Sequence, residues 1–167
     1  GVSEAKEINL SQLELKEDST LLVLESIEKP GNLGAIIRSA EGSGVDAILL
    51  NNCLLDIYNP NAIRASQGLL FRLPIIDVET NYLQQWLKDN QFVSIATTPN
   101  TNNCYSDHSY TKRTALLMGS ESHGLSNEML NQADHLINIP MKGYADSLNV
   151  SVATAICLYE INRQKSC

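Results

Sequence analysis

INIPMKGYADSLNVSVATAICLYEI, running from Ile137 to Ile161, changes character twice along its length. Leu136 to Ile139 reads as a short strand. Pro140 ends it, because proline has no N–H to give to a ladder. A loop follows with Gly143 at its middle. Ser147 to Ile161 is mostly apolar and long enough for a helix of roughly 22 Å. Asp146 or Ser147 can cap its first turn. Asn149 and Ser151 stand among Leu148, Val150, Val152, Ala153, Ala155, Ile156 and Leu158. A helix so apolar on every side belongs in a core, in a subunit interface, or in both.

A chain of 167 residues with 43% hydrophobic content suggests one globular domain with room for a real core. Its net charge of −7 argues against non-specific nucleic-acid binding by the whole surface. The charge is uneven: residues 1–28 carry two lysines against seven acids, whereas residues 29–72 carry Lys29, Arg38, Arg64 and Arg72 against Glu41, Asp46 and Asp56. The acidity therefore sits largely at the N-terminus, which leaves room for a local basic site. Cys53, Cys104, Cys157 and Cys167 are far apart without CxxC spacing, so reduced thiols in a cytoplasmic protein are expected rather than a zinc site or disulfides. No apolar run approaches the roughly 18 residues of a membrane span, and no secretory leader is visible.

Strand and helix signals alternate along the rest of the chain. Residues 1–19 are polar and acidic and read as a linker or tail with one short turn at most, ahead of a single domain over residues 20–167. Leu21 to Glu25 reads as a buried strand. Asn32 can cap a helix to about Gly42, with Gly44 as its left-handed stop. Ala47 to Leu50 is the next strand, Pro60 to Ser66 a short helix and Phe71 to Val78 a strand. Tyr82 to Lys88 is an amphipathic helix, Phe92 to Ala96 a strand and Thr97 to Arg113 a polar loop. Ala115 to Met118 is a strand, and Ser126 to Asn131 the helix after it. The pattern predicts an α/β fold: a mostly parallel sheet with helices on both faces.

Three segments stand out for chemistry. PGNLGAIIRSAEGSGVDAILL, Pro30 to Leu50, places Arg38 on a different face from Ile36 and Ile37. ALLMGSESHGL, Ala115 to Leu125, sets Gly119 and Gly124 directly after a strand, where a backbone can pass close to a ligand. It is neither GxGxxG nor a P-loop, which disfavours a dinucleotide fold. IPMKGYADSLNVSVA is the third. In this order they resemble the three sequence blocks of the SpoU (TrmH-like) RNA 2′-O-ribose methyltransferases of the SPOUT class, and the likeness runs from Leu21 to Arg163. NPNAIRASQGLLFRLPI, Asn59 to Ile75, looks like the segment that follows the first block in that family.

The resemblance implies an α/β domain whose C-terminal segment threads a loop as a deep trefoil knot, an exception to the usual connection rules. It implies a homodimer and no metal. The activity it implies is transfer of a methyl group from S-adenosylmethionine to a ribose 2′-hydroxyl in rRNA or tRNA. Matched motif residue by motif residue, Arg38, Asn32, Glu121, Ser147 and Asn149 are the catalytic candidates. Gly119, Ile139, Met141 and Leu148 are the cofactor-binding candidates, with Thr97 at a strand end added to them. Arg38 and Arg64 are the RNA-binding candidates. Arginine is effectively never neutral, so the favoured role for Arg38 is to bind a phosphate, align the 2′-hydroxyl and stabilise the developing alkoxide; the other role open to it is transient loss of its proton in a dry, strongly coupled site. The resemblance implies that Glu121 orients Asn32, Arg38 or neighbouring backbone, and an Arg38–Glu121 pair would account for both of those residues. His123 reads as a surface or structural residue, and Asp146 receives no role. Many relatives carry a small RNA-binding domain ahead of the catalytic one, so the chain is expected to be the catalytic domain of a longer protein or a minimal member. The competing readings are a non-catalytic RNA-binding or cofactor-sensing dimer of the same fold, and a nucleotide-binding α/β enzyme of other chemistry.

Overall fold

The computed structural model describes residues 9–166. Residues 1–8 of the expected tail and Cys167 lie outside the described residues. Six strands make one sheet: β1 (Ser19–Glu25), β2 (Ala47–Asn51), β3 (Ile75–Asp77), β4 (Val93–Thr97), β5 (Arg113–Met118) and β6 (His135–Ile137). Their order is β3-β2-β1-β5-β4-β6, and every pairing is parallel. The helices are α1 (Pro30–Gly42), α2 (Pro60–Ala65), α3 (Thr80–Asp89), α4 (Asn127–Gln132) and α5 (Val150–Ser166).

The alternation of side chains along each strand builds two cores. Leu22 and Leu24 of β1 join Ile36 and Ile37 of α1 and Leu158 and Ile161 of α5 on one face. Leu21 and Val23 join Leu83 and Trp86 of α3 and Met129 of α4 on the other. Central strands buried on both faces read as near-continuous apolar runs, as LLVLE and ALLM do. Leu10, in a 3-10 turn over Leu10–Gln12, packs into this second core with Leu13 and Leu15 beside it. The described part of the acidic N-terminal segment is thus held to the sheet by its leucines. At the far end of the chain, Lys165 Nζ donates to the carbonyls of Ser19 (3.1 Å) and Lys112 (2.6 Å) and pairs with Asp18 at 2.8 Å. That clasp fixes the last turn of α5 to the beginning of β1.

Several boundaries differ from the sequence expectation. α1 begins at Pro30 with Lys29 as its cap residue, so Asn32 is inside the first turn and does not cap. The cause is Pro30, whose fixed φ suits the first helical position and whose missing N–H would be unpaired there anyway. The expected strand from Phe71 to Val78 is a 3-10 turn over Leu69–Phe71 followed by the three residues of β3. Gly68, at φ +79°, turns the chain into that 3-10 segment. α5 starts three residues later than Ser147. Its cap is Asn149, whose Oδ1 accepts from the Ser151 N–H at 2.9 Å and whose carbonyl accepts from the Ala153 N–H at 3.0 Å. Ser147 and Leu148 therefore stay in the loop.

Candidate active site

In a parallel sheet, all strands deliver their C-terminal ends to one edge, and ligands gather there. Here the loops leaving β4, β5 and β6 converge on a cavity of about 430 Å³. Thr97, Gly119, Ile139, Met141 and Leu148 all line it, as do Glu121 and Ser147. The cofactor-binding candidates from the sequence thus meet around one space. So do two of the catalytic candidates.

Local forces explain the loop after β5. Ser120 and Gly124 exchange N–H···O bonds of 3.2 and 2.9 Å, and Gly124 takes φ +69°, a conformation that favours glycine. A side chain at Gly119 would meet the Gly124 carbonyl carbon at 2.0 Å, so the loop folds directly over this position. The loop's exit is anchored by Glu25, the 4% exposed last residue of β1. Its carboxylate accepts from the Ser126 N–H and the Ser126 hydroxyl, both at 2.7 Å. Ser126 also accepts from the Met129 N–H at 3.2 Å and so caps α4.

The loop after β6 is open. The main-chain N–H and C=O groups of Ile139, Met141 and Leu148 form no hydrogen bond with another described residue. Unpaired main-chain donors and acceptors beside apolar side chains suit the edge and faces of a flat heterocycle. Thr97 is fixed differently: its hydroxyl donates to the Leu117 carbonyl at 3.1 Å and touches Met118 Sδ at 3.3 Å.

Three catalytic candidates form a chain of hydrogen bonds at the rim. Asn32 Nδ2 donates to Glu121 Oε1, and Asn149 Nδ2 donates to Asn32 Oδ1 at 3.3 Å. The network joins α1, the loop after β5 and the start of α5. Of the partners open to Glu121, Asn32, displaced from the cap position by Pro30, takes the carboxylate, and no Arg38–Glu121 pair forms. Arg38 is exposed on α1 and sits apart, in a cleft of about 350 Å³ with Ala35, Ser39, Ala65 and Tyr159. Neither Arg38 nor Arg64, exposed in the last turn of α2, pairs with a described residue. His123 also borders the cavity, with Nδ1 at 2.8 Å from the Ser122 hydroxyl. Asp146 borders it too.

The sequence reading missed Asn138. It lines the cavity, its Nδ2 donates to the Thr101 carbonyl at 2.7 Å, and its buried Oδ1 has no partner among the described residues. Asn100 and Asn127 line it as well. The available signal was position: each follows closely on a strand or opens the next helix at the sheet's C-terminal edge. Among the described residues, no group of three or more His, Cys, Asp or Glu could hold a metal ion, and no helix is long and apolar enough to cross a membrane.

Known proteins share this architecture. The family model described as SpoU rRNA Methylase matches residues 19–159. A 23S rRNA (uridine(2479)-2′-O)-methyltransferase of Streptomyces viridochromogenes is 32% identical over 163 residues, which are 94% of this chain and 57% of that protein. The chain thus spans somewhat over half the length of that relative. The crystal structure of the SpoU methyltransferase AviRb from Streptomyces viridochromogenes in complex with the cofactor AdoMet superposes with a TM-score of 0.88 at 32% identity, covering 95% of this chain and 62% of that one. An AdoMet-bound rRNA methyltransferase from Sinorhizobium meliloti gives 0.90 at 34% identity, covering 96% and 62%.

Proposed function

The chain belongs to the SpoU rRNA Methylase family, and from that premise we propose that it methylates a ribose 2′-hydroxyl of rRNA or tRNA with S-adenosylmethionine as donor. One observation carries the reading. The cavity at the strand ends, with unpaired main-chain groups at Ile139, Met141 and Leu148, lies beside the Asn32–Glu121–Asn149 network.

The residues present fit the donor. Ile139, Met141 and Leu148 offer main-chain groups to an adenine edge and side chains to its faces. Gly119 allows the loop after β5 to fold over without a side chain in the way. Thr97 closes the floor through its bond to Leu117. When bound, S-adenosylmethionine would supply a methyl group on a sulfonium, whose neutral thioether leaves without a metal while the 2′-hydroxyl proton passes to water.

The protein's contribution is alignment and charge. Glu121 fixes the Asn32 amide, and Asn32 and Asn149 fix each other. Ser147, exposed at the cavity rim, is free to orient the incoming ribose. Arg38 binds the phosphate next to the target ribose and offsets the charge of the developing alkoxide. Arg64 adds a second phosphate contact.

Arg38 is separated from the cavity of its own chain, which supports a site completed by a second copy. Val152 (47% exposed), Ile156 and Tyr159 (55% exposed) form an outward apolar stripe on α5 at helical spacing. Tyr159 also borders the Arg38 cleft. An isologous dimer built on this stripe would carry Arg38 toward the partner's cavity. The path after β6, with α5 returning to α1 and the start of β1, is consistent with the trefoil knot of the family. We place the methyltransferase domain at residues 20–167 and its action in the cytoplasm.

The test is methyl transfer from labelled S-adenosylmethionine to total RNA of a strain lacking the gene. Arg38→Ala is expected to lower the rate by about a hundredfold or more while leaving donor affinity by calorimetry within about threefold. A wild-type protein that fails to bind the donor, or that binds it and labels no RNA, defeats the reading.

A further inference from the structure

Only two phenylalanines occur in the chain, and one of them is left in water. Phe92 is buried, whereas Phe71 is 68% exposed. Phe71 stacks on Tyr58, itself 41% exposed, with ring centroids 6.3 Å apart and planes 22° apart. Both rings sit on hydrogen-bonded turns. Phe71 closes the 3-10 turn over Leu69–Phe71, pinned between Leu70 (5% exposed) and Leu73 (8% exposed). Tyr58 donates its N–H to Asp56 Oδ1 at 2.9 Å. α2 lies between them in sequence and is seated tightly on α1, where a side chain at Gly34 would meet Ala65 Cβ at 2.5 Å. The aromatic pair therefore keeps a fixed relation to Arg38 on α1.

The charge around the pair is unusual for this chain. Between Asp56, whose carboxylate accepts from the Tyr58 N–H, and Asp77, the chain carries Arg64 and Arg72 and no acidic residue, in a protein of net charge −7. Both arginines are exposed, and neither pairs with a described residue. A preordered aromatic face in water, next to unpaired guanidinium groups, matches a ligand with flat rings on an anionic backbone. Single-stranded nucleic acid has that chemistry: bases stack on the aromatic faces and phosphates meet the cations.

We propose that Tyr58 and Phe71, flanked by Arg64 and Arg72, form a stacking platform for an unpaired base of the substrate RNA near the target nucleotide. The proposal rests on the methyltransferase reading and adds a recognition site to it. The platform fixes where the strand lies, and Arg38, tied to it through α1 and α2, meets the neighbouring phosphate.

The test uses a fluorescein-labelled single-stranded oligoribonucleotide followed by anisotropy, and the same strand carrying one 2-aminopurine, whose emission falls on stacking. Phe71→Ala is expected to weaken binding by about tenfold and abolish the quench, and Phe71→Tyr to retain both. Arg72→Ala is expected to weaken binding and flatten its salt dependence. Donor affinity by calorimetry stays unchanged in all three. Unchanged RNA binding by Phe71→Ala in a protein that methylates RNA overturns the platform alone. Loss of binding accompanied by a change of oligomeric state in sedimentation also overturns it, and assigns the aromatic pair to a subunit contact. A wild-type protein that binds through Phe71 but labels no RNA supports the platform and overturns the activity.

Discussion

A methyl group added at residue 119 would lie 2.0 Å from the Gly124 carbonyl carbon and 2.2 Å from the Leu125 nitrogen, both main-chain atoms that cannot swing aside. Gly119→Ala must therefore open the loop after β5. Overpacking of this kind costs about 1–3 kcal/mol, so a fall in melting temperature and about tenfold weaker donor binding are expected in calorimetry. Asn149 allows its two jobs to be separated. Its Oδ1 caps α5, and its Nδ2 holds Asn32. Asn149→Asp keeps the cap and loses the donor, so methyl transfer should fall by more than about tenfold while thermal stability hardly moves. Asn149→Ala should lose both, with about 1 kcal/mol of stability. A parallel loss of stability in the two variants would contradict this division. At this scale the glycine-bearing loop and the Ile139–Met141–Leu148 set were legible, because the motif fixes residue type and order. The choice between the two side-chain partners open to Glu121 was not. Which of Asn32 and Arg38 reaches it depends on where α1 starts, and one proline decides that.

Among the elements, α5 and the loop 97–113 respond to pH for opposite reasons. Burial, and then the charge of His135, hold the His108 imidazole below its usual value of 6.5. The fold therefore favours neutral His108, and the unfolded chain takes up more protons as the pH drops. Stability is complete above about pH 6.5 and declines as pH falls through it toward the folded value. His108→Phe, which keeps an aromatic ring against Tyr110, should flatten the melting temperature between about pH 7 and 5. Glu160 behaves separately. Hydrogen bonds from Arg163 and Gln164 hold its carboxyl down to about 2, so its contribution to α5 is present above the usual 4.5 and vanishes only as pH approaches 2. The melting temperature is expected to fall over two separate pH ranges, and a fall over only one would count against the assignment. β1, β2, β4 and β5 were readable as apolar runs, because both faces of a central parallel strand are buried. β3 was overextended, because a 3-10 turn with Leu70 and Leu73 inside has the same apolar content as a strand. The late start of α5 was unreadable, since Asp146, Ser147 and Asn149 are all competent caps and only the path of the loop chooses among them.

For the whole molecule, a parallel sheet with helices on both faces followed from the alternation of signals alone. The strand order did not, because β5 lies between β1 and β4 through contacts far apart in sequence. Nor does periodicity mark the outward stripe of α5, since that helix is apolar on nearly every side. If the stripe joins two copies, Ile156→Asp should shift the protein toward monomer in sedimentation and lower methyl transfer by about tenfold or more, with the fold intact by circular dichroism. Monomers that transfer at the wild-type rate would refute a shared site.

The clasp of Lys165 on Ser19 and Lys112 has a consequence for architecture. It sits where the parallel strands begin, and the cavity sits where they end. A polypeptide grafted behind α5 would consequently start on the side remote from the cavity. The seven residues of β1 mark the separation, which at about 3.3 Å each is roughly 23 Å. A module appended there would need a leash of at least that reach to touch whatever the cavity holds, or would have to grip its ligand well away from it.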